Sequence, residues 1–317
     1  MTSRARIKKI LNFEPVDRIG IYDSFDGDLK KNWQGQGLSE GVRFEEYFNL
    51  DICEYGFNQL DYIHDMDTKF KTASVGYPAE DLHLQEARCN SFSFLEPFGH
   101  ACYKFGLEKV LSDLAGGSPD LRKFFEESVN ETTRALERLI GGGYNFDCVW
   151  AYGDLGYKDS AFFSTTMYKK YIYPYHRELF KFISDIGLPI IFHSDGDIKE
   201  LIPSLIGLGV RSLEPLEVNA GMKIAFLAKE YHKDLVLFGG IRLQALREGL
   251  DAFREELRAV LDIVKGRCGY IYKMDGPIDI GISLENYREA LKSVAKYGAY
   301  HSEDEIEERL YEHKNIK

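Results

Sequence analysis

The sequence predicts an α/β protein: a single (β/α)8 barrel of the TIM type over residues 1–317, with a β-hairpin region inserted in its N-terminal part. Three observations predict it. Apolar strand patterns near 147–151, 189–193, 210–214, 235–239 and 269–274 alternate with helical patterns near 165–186, 197–207, 221–231, 250–264 and 284–297. That beat makes parallel βαβ units. The length of 317 residues suits an eightfold barrel as one domain. Acidic and imidazole side chains also recur at the ends of successive strands, the rim on which barrels carry their chemistry.

Taken in order, residues 4–13 fit a short amphipathic helix with Ile7, Ile10 and Leu11 on one side, closed by Asn12 and Pro15. Residues 18–22 alternate into a first strand, 23–37 form a loop bearing Gly and Asp, and a second short element runs near 51–57. From Lys69 to Phe105 the segments TKFKTASV, DLHLQEA, SFSFLEP and ACYKFG are short and separated by Pro and Gly, which reads as inserted antiparallel hairpins. Ser118 and Pro119 open a helix that runs to about Ile140 and ends on Gly141–Gly143. Tyr168, Tyr171, Tyr173 and Tyr175 gather on a helix around Pro174, where packing is favoured over ligand contact and a kink is expected. The final SEDEIEERLYEHK is acidic and reads as a solvated helix.

Composition narrows the function classes. A net charge of −11 argues against nucleic acid and against an anionic membrane surface. The opening MTSRARIKKILNF lacks the apolar core of a secretory signal, and no apolar run approaches a membrane span, so a cytoplasmic protein is expected. Five scattered cysteines (Cys53, Cys89, Cys102, Cys148 and Cys268) have no CxxC pair and read as free thiols. GxGxxG, GxxxxGK[ST] and GxSxG are all missing, which leaves dinucleotide, P-loop and nucleophile-elbow chemistry without support.

The run PIIFHSDGD, Pro189–Asp197, organises the candidate site. Pro189–Phe192 read as a buried strand, and His193 and Asp195, two apart, project to one side if the strand continues. Asp197, with Glu200 three residues on, reads as the cap of the next helix. His193 could equally be a hydrogen-bonded barrel residue and Asp195 turn chemistry. Asp154 after DCVWAYG, Glu214 and Glu217 in SLEPLE, and Asp275 after YIYKM fall at the same rim. One imidazole among several carboxylates suits a metal site better than a nucleophilic triad. Asp154 could instead orient a histidine or touch substrate, and Pro215 leaves the relative direction of Glu214 and Glu217 open. Tyr22, Tyr157 and Arg242 complete the candidate substrate contacts, although a surface ion pair would serve Arg242 as well.

The stretches SRARIKKILNFEPVDRIGIY, GDLGYKDSAFFS followed by MYKKYIYPYHRELF, PIIFHSDGDIKELIPSLIGLGVRSLEPLE with NAGM, LVLFGGI, and GYIYKMDGPIDIGISLENY resemble the uroporphyrinogen decarboxylase superfamily. The resemblance is closest to its cobalamin-dependent methyltransferase branch and weakest over residues 58–115. It implies a barrel with its site at the C-terminal mouth. In that branch zinc is held by a His-x-Cys pair, an acidic residue from the next strand, and a late cysteine. Carried over, these fall on His193 and Asp195, on Glu217, and near Asp275, with oxygen ligands at both cysteine positions.

Asp154 and His193 are the candidate catalytic residues, and the resemblance further implies a corrinoid protein as partner. The expected reaction moves a methyl group between a small methylated substrate and the corrinoid. Oxygen ligands make a harder site, which suits O-demethylation of a methoxylated aromatic. A decarboxylase is the alternative, but the superfamily's arginine-rich motif after the first strand is replaced here by IYDSFDGDLKK. A barrel that acts as a non-catalytic partner subunit is another. A homodimer through the aromatic N-terminal and Tyr-rich segments stays open beside a monomer.

Overall fold

The computed structural model describes residues 1–57, 70–71, 84–267 and 269–300, where eight barrel strands alternate with helices in a (β/α)8 barrel. They are β1 Gly20–Ile21, β2 Ile52–Phe57, β3 Cys89–Leu95, β4 Cys148–Tyr152, β5 Ile190–His193, β6 Val210–Glu214, β7 Val236–Phe238 and β8 Tyr270–Tyr272. The five strands expected in the second half lie within two residues of their expected limits. Two compact units divide the chain: residues 1–53, 85–89 and 212–317 form one, residues 54–84 and 90–211 the other.

In the second unit β3, β4 and β5 run parallel, with Phe94 beside Ala151, Ala151 beside Phe192, and Tyr152 beside His193. Because side chains alternate along a strand, this register fixes which share a face. Phe192 turns toward the helix Tyr173–Asp185, its ring centroid 5.9 Å from that of His176 and 6.1 Å from that of Phe180. His193 therefore points to the opposite face, together with Tyr152 and, a step earlier, Trp150. The helix Pro119–Gly141 starts as expected, with Ser118 Oγ accepting from the Leu121 N–H.

Four expectations for this unit are corrected. SFSFLEP belongs to the parallel barrel strand β3, not to a hairpin, and ACYKFG lies in the helix Pro97–Phe105. The reason is Glu96, whose buried carboxylate caps that helix by accepting from the Phe98 and Gly99 N–H groups. The inserted region is represented by β2 pairing antiparallel with Phe70–Lys71; the rest of it, 58–69 and 72–83, lies outside the described residues, as do Cys268 and the C-terminal SEDEIEERLYEHK. The expected helix 165–186 is two helices, Thr165–Tyr171 and Tyr173–Asp185, parted at Ile172 because Pro174 fits only a first turn. Asp197 does not cap a long helix: it accepts from the Lys199 N–H, and the helix begins at Ile202, where Pro203 again fits the first turn.

In the first unit β6, β7, β8 and β1 lie side by side in parallel. Buried Asp51 ties the N-terminal helix Ser3–Leu11 to β1, accepting from Arg6 at 2.9 Å, Arg18 at 2.6 Å and the Ile21 N–H at 2.8 Å. The expected loop 23–37 contains a helix, Leu29–Gln34. Leu29 and Trp33, four apart, are both buried, and the indole N–H of Trp33 donates to the Ile282 carbonyl. Around Trp33 pack Phe25, Phe44, Phe48 and Tyr287.

Among the described residues, Cys53, Cys89, Cys102 and Cys148 are free thiols. No helix among them is long and apolar enough to cross a membrane.

Candidate functional site

The second unit brings Asp154, His193 and Asp195 together. The parallel register sets Tyr152 beside His193, so the residues that follow the two strands leave the sheet side by side. His193 Nε2 lies 3.4 Å from Asp154 Oδ1 and 3.9 Å from Asp195 Oδ1. One ligand atom from each of the three residues falls within 4.8 Å of the others. The imidazole side chain is 19% exposed and the carboxylates just over half exposed, so the cluster is open to solvent.

The two loops are bonded to one another. The Asp195 N–H donates to Asp154 Oδ1, the Leu155 N–H to Ser194 Oγ, and the Gly153 N–H to the His193 carbonyl. Gly196 makes their close approach possible: its φ is +76°, and a Cβ there would lie 2.4 Å from the Tyr157 nitrogen. Beneath His193 the rings continue, Tyr152 at 4.7 Å and then Trp150 stacked on Tyr152 at 5.8 Å. Tyr157 is 62% exposed, with the Lys158 ammonium 5.1 Å from its ring centre.

This donor set fits a divalent cation. Zinc bonds of about 2.0–2.2 Å to N and O set neighbouring donors roughly 3.3–3.5 Å apart. The His193–Asp154 spacing of 3.4 Å meets that, while Asp195 at 3.9 Å from the imidazole, in a cluster whose donors lie within 4.8 Å of one another, has to move closer, which its exposed side chain can do. Three protein donors would leave a position open for a substrate oxygen.

The first unit holds the remaining predicted residues. Glu214 is buried and paired with Lys273 at 2.7 Å. Asp275 accepts from the Leu243 N–H, and its pKa is raised, chiefly by burial, with the charges of Glu256 and Glu217 adding to it. Arg242 is held by Glu256 through two side-chain bonds, at 3.0 and 2.6 Å. Tyr22 is buried edge-on against Phe238.

A family model described as uroporphyrinogen decarboxylase matches residues 92–297, more than half of the chain. The chain belongs to the uroporphyrinogen decarboxylase family. Among solved structures it is similar to a methyltransferase from Methanosarcina mazei, at 13% identity and a TM-score of 0.69, over 94% of this chain and 100% of that one. It also matches a mutant flavocytochrome b2 with pyruvate bound, at 11% identity and a TM-score of 0.35, over 93% of this chain and 65% of that one. No curated protein matches.

Several buried polar residues in this family member escaped the sequence reading. Asp23, just after β1, is fully buried and accepts from the Met274 N–H at 2.8 Å and the Tyr287 hydroxyl at 3.0 Å. Burial pushes its carboxyl up to about 7. Lys273 follows the last residue of β8, two positions before Asp275. Glu96 falls in SFSFLEP, where the pattern predicts a hairpin, and His176 in the Tyr-rich helix, where packing is expected. The available signal was an acidic or basic residue directly after a run of strand-forming apolar ones, as in IGIYD, SFLE and YIYK.

Proposed function

We propose that this protein is a metal-dependent methyltransferase that moves a methyl group between a small methylated substrate, a methoxylated aromatic, and a corrinoid carried by a partner protein. The observation that carries the proposal is the cluster of Asp154, His193 and Asp195, one nitrogen and two oxygen donors gathered after two adjacent strands. Membership of the family and similarity in fold to a methyltransferase support it.

His193 Nε2 and the two carboxylates would hold zinc or a similar cation. Such an ion would supply Lewis acidity to an ether oxygen, favouring release of the methyl group as the oxygen takes up negative charge. The reduced cobalt of a corrinoid would supply the acceptor. Asp154 receives the Asp195 N–H, so the peptide dipole steadies the carboxylate nearest the imidazole. Tyr157, exposed beside this cluster, would offer a ring face to an aromatic substrate.

The family's namesake chemistry, decarboxylation, is the second reading. Against it stands the loop after β1, IYDSFDGDLKK, which has no arginine and exposes Asp26 and Asp28 to a substrate rich in carboxylates. One experiment separates the two. Purified protein is analysed for metal, then mixed with reduced cobalamin and methoxylated aromatics while cobalt absorbance is followed. The proposal expects about one metal per chain, an absorbance change, and loss of that change on chelation. Absence of metal, with release of carbon dioxide from a carboxylated substrate, would favour decarboxylation.

A further inference from the structure

We infer that Glu96, His176 and Tyr168 are positioning residues for Asp154: a buried hydrogen-bonded chain, outside the ligand cluster, that fixes the backbone from which Asp154 projects. The Glu96 carboxylate is buried and accepts from three donors: the Phe98 N–H at 2.9 Å, the Gly99 N–H at 2.5 Å and His176 Nε2 at 2.5 Å. The Tyr168 hydroxyl lies 3.0 Å from His176 Nδ1. One arrangement of protons satisfies all of them: Tyr168 donates to Nδ1, and Nε2–H donates to Glu96. All three side chains are fully buried, so each depends on the next for its partner.

The chain reaches Asp154 through Gly153. A Cβ at Gly153 would lie 2.1 Å from Glu96 Oε1, so the carboxylate rests directly against the backbone one residue before Asp154. The Glu96 N–H also donates to the Tyr152 carbonyl at 2.8 Å, bonding the end of β3 to that of β4. From above, the same short segment is held by the Gly153 bond to the His193 carbonyl and the Leu155 bond to Ser194. Residues 153–155 are therefore clamped between the ligand loop on one side and a buried carboxylate on the other. Removing the carboxylate or its histidine frees one side, and Asp154 loses its fixed 3.4 Å approach to the imidazole.

The test uses the full chain and two measurements: hydrogen exchange of peptides covering residues 152–156 in metal-free protein, and Co2+ affinity. His176→Phe removes the donor to Glu96. It is expected to speed exchange at Gly153 and Leu155 at least tenfold and to weaken Co2+ binding about tenfold, the usual scale for a group that orients a metal ligand. His176→Gln restores a donor near the Nε2 position and should bring both values within about threefold of wild type. Combined with Asp154→Asn, His176→Phe should weaken Co2+ binding no further, because its effect passes through Asp154. Should His176→Phe not fold, Tyr168→Phe, which removes only the outermost hydroxyl, is expected to move both values severalfold in the same direction.

A lower melting temperature with exchange at 152–156 unchanged would overturn the inference, as would losses that multiply in the double variant. The affinity arm rests on the proposed metal site and the exchange arm does not. Wild-type protein without Co2+ affinity would therefore count against that site, while exchange alone would still decide the role of Glu96.

Discussion

Asp23→Asn isolates the electrostatic cost of a buried carboxyl. Burial is the largest influence on Asp23 and raises it from 3.8 to about 7; the Met274 N–H, the Lys273 charge and the Tyr287 hydroxyl pull the other way without winning. Below pH 3.8 folded and unfolded chains both carry the proton. Between 3.8 and about 7 the folded chain keeps it and the unfolded chain releases it, so stability falls as pH rises. Above that window the loss is complete. At about 1.4 kcal/mol per pH unit, the part of the window between pH 5 and pH 8 amounts to about 3 kcal/mol.

The amide removes the titration while keeping the contacts: its oxygen accepts the Met274 N–H, and its NH2 donates to the Tyr287 oxygen. Urea unfolding followed by circular dichroism at pH 5, 6, 7 and 8 gives the comparison. Other titrating groups cancel in the difference between the two proteins. The variant is expected to gain on wild type by about 3 kcal/mol between pH 5 and pH 8. Parallel curves for the two proteins, or a difference that shrinks with rising pH, would refute the reasoning.

Three further outcomes are expected. Lys273→Met leaves Glu214 as a buried charge without its 2.7 Å partner and should cost about 3–5 kcal/mol in chemical denaturation, whereas Lys273→Met with Glu214→Leu should recover most of it. His193→Ala should lower Co2+ affinity at least about 100-fold, read by competition with a chromophoric chelator, with an unchanged far-ultraviolet spectrum. Gly153→Ala sets a methyl group 2.1 Å from Glu96 Oε1 and should cost about 1–3 kcal/mol by overpacking, measured as a lower melting temperature.

The second half of the fold was readable because its strands are continuous apolar runs bounded by Gly and Pro. Val210–Glu214 and the helices Leu250–Val264 and Leu284–Gly298 follow the patterns nearly to the residue. The first half misled where a local pattern had two solutions. SFSFLEP alternates polar and apolar residues like a hairpin strand, yet both faces are buried, with Ser91 and Ser93 inside as well as Phe92 and Phe94. Burial on both faces comes from tertiary packing, which alternation alone does not encode. At the site, His193 and Asp195 could be read because two residues of one short run share a side. The closeness of Asp154 could only be suspected, since it depends on the register of β4 against β5. Asp23, Glu96 and Lys273 each have a decisive partner at least 59 positions away, Met274, His176 and Glu214 respectively, and no local window contains both members of such a pair.

The ring column under His193 gives the protein an optical probe of its own. The chain has two tryptophans, Trp33 and Trp150, both fully buried and one in each unit. Trp150 is separated from the imidazole only by Tyr152, so a paramagnetic ion bound at His193 should quench its emission, and a Trp33→Phe variant would report that quenching without background. The complementary Trp150→Phe variant would leave Trp33 to follow unfolding of the other unit, letting fluorescence show whether the two halves melt together.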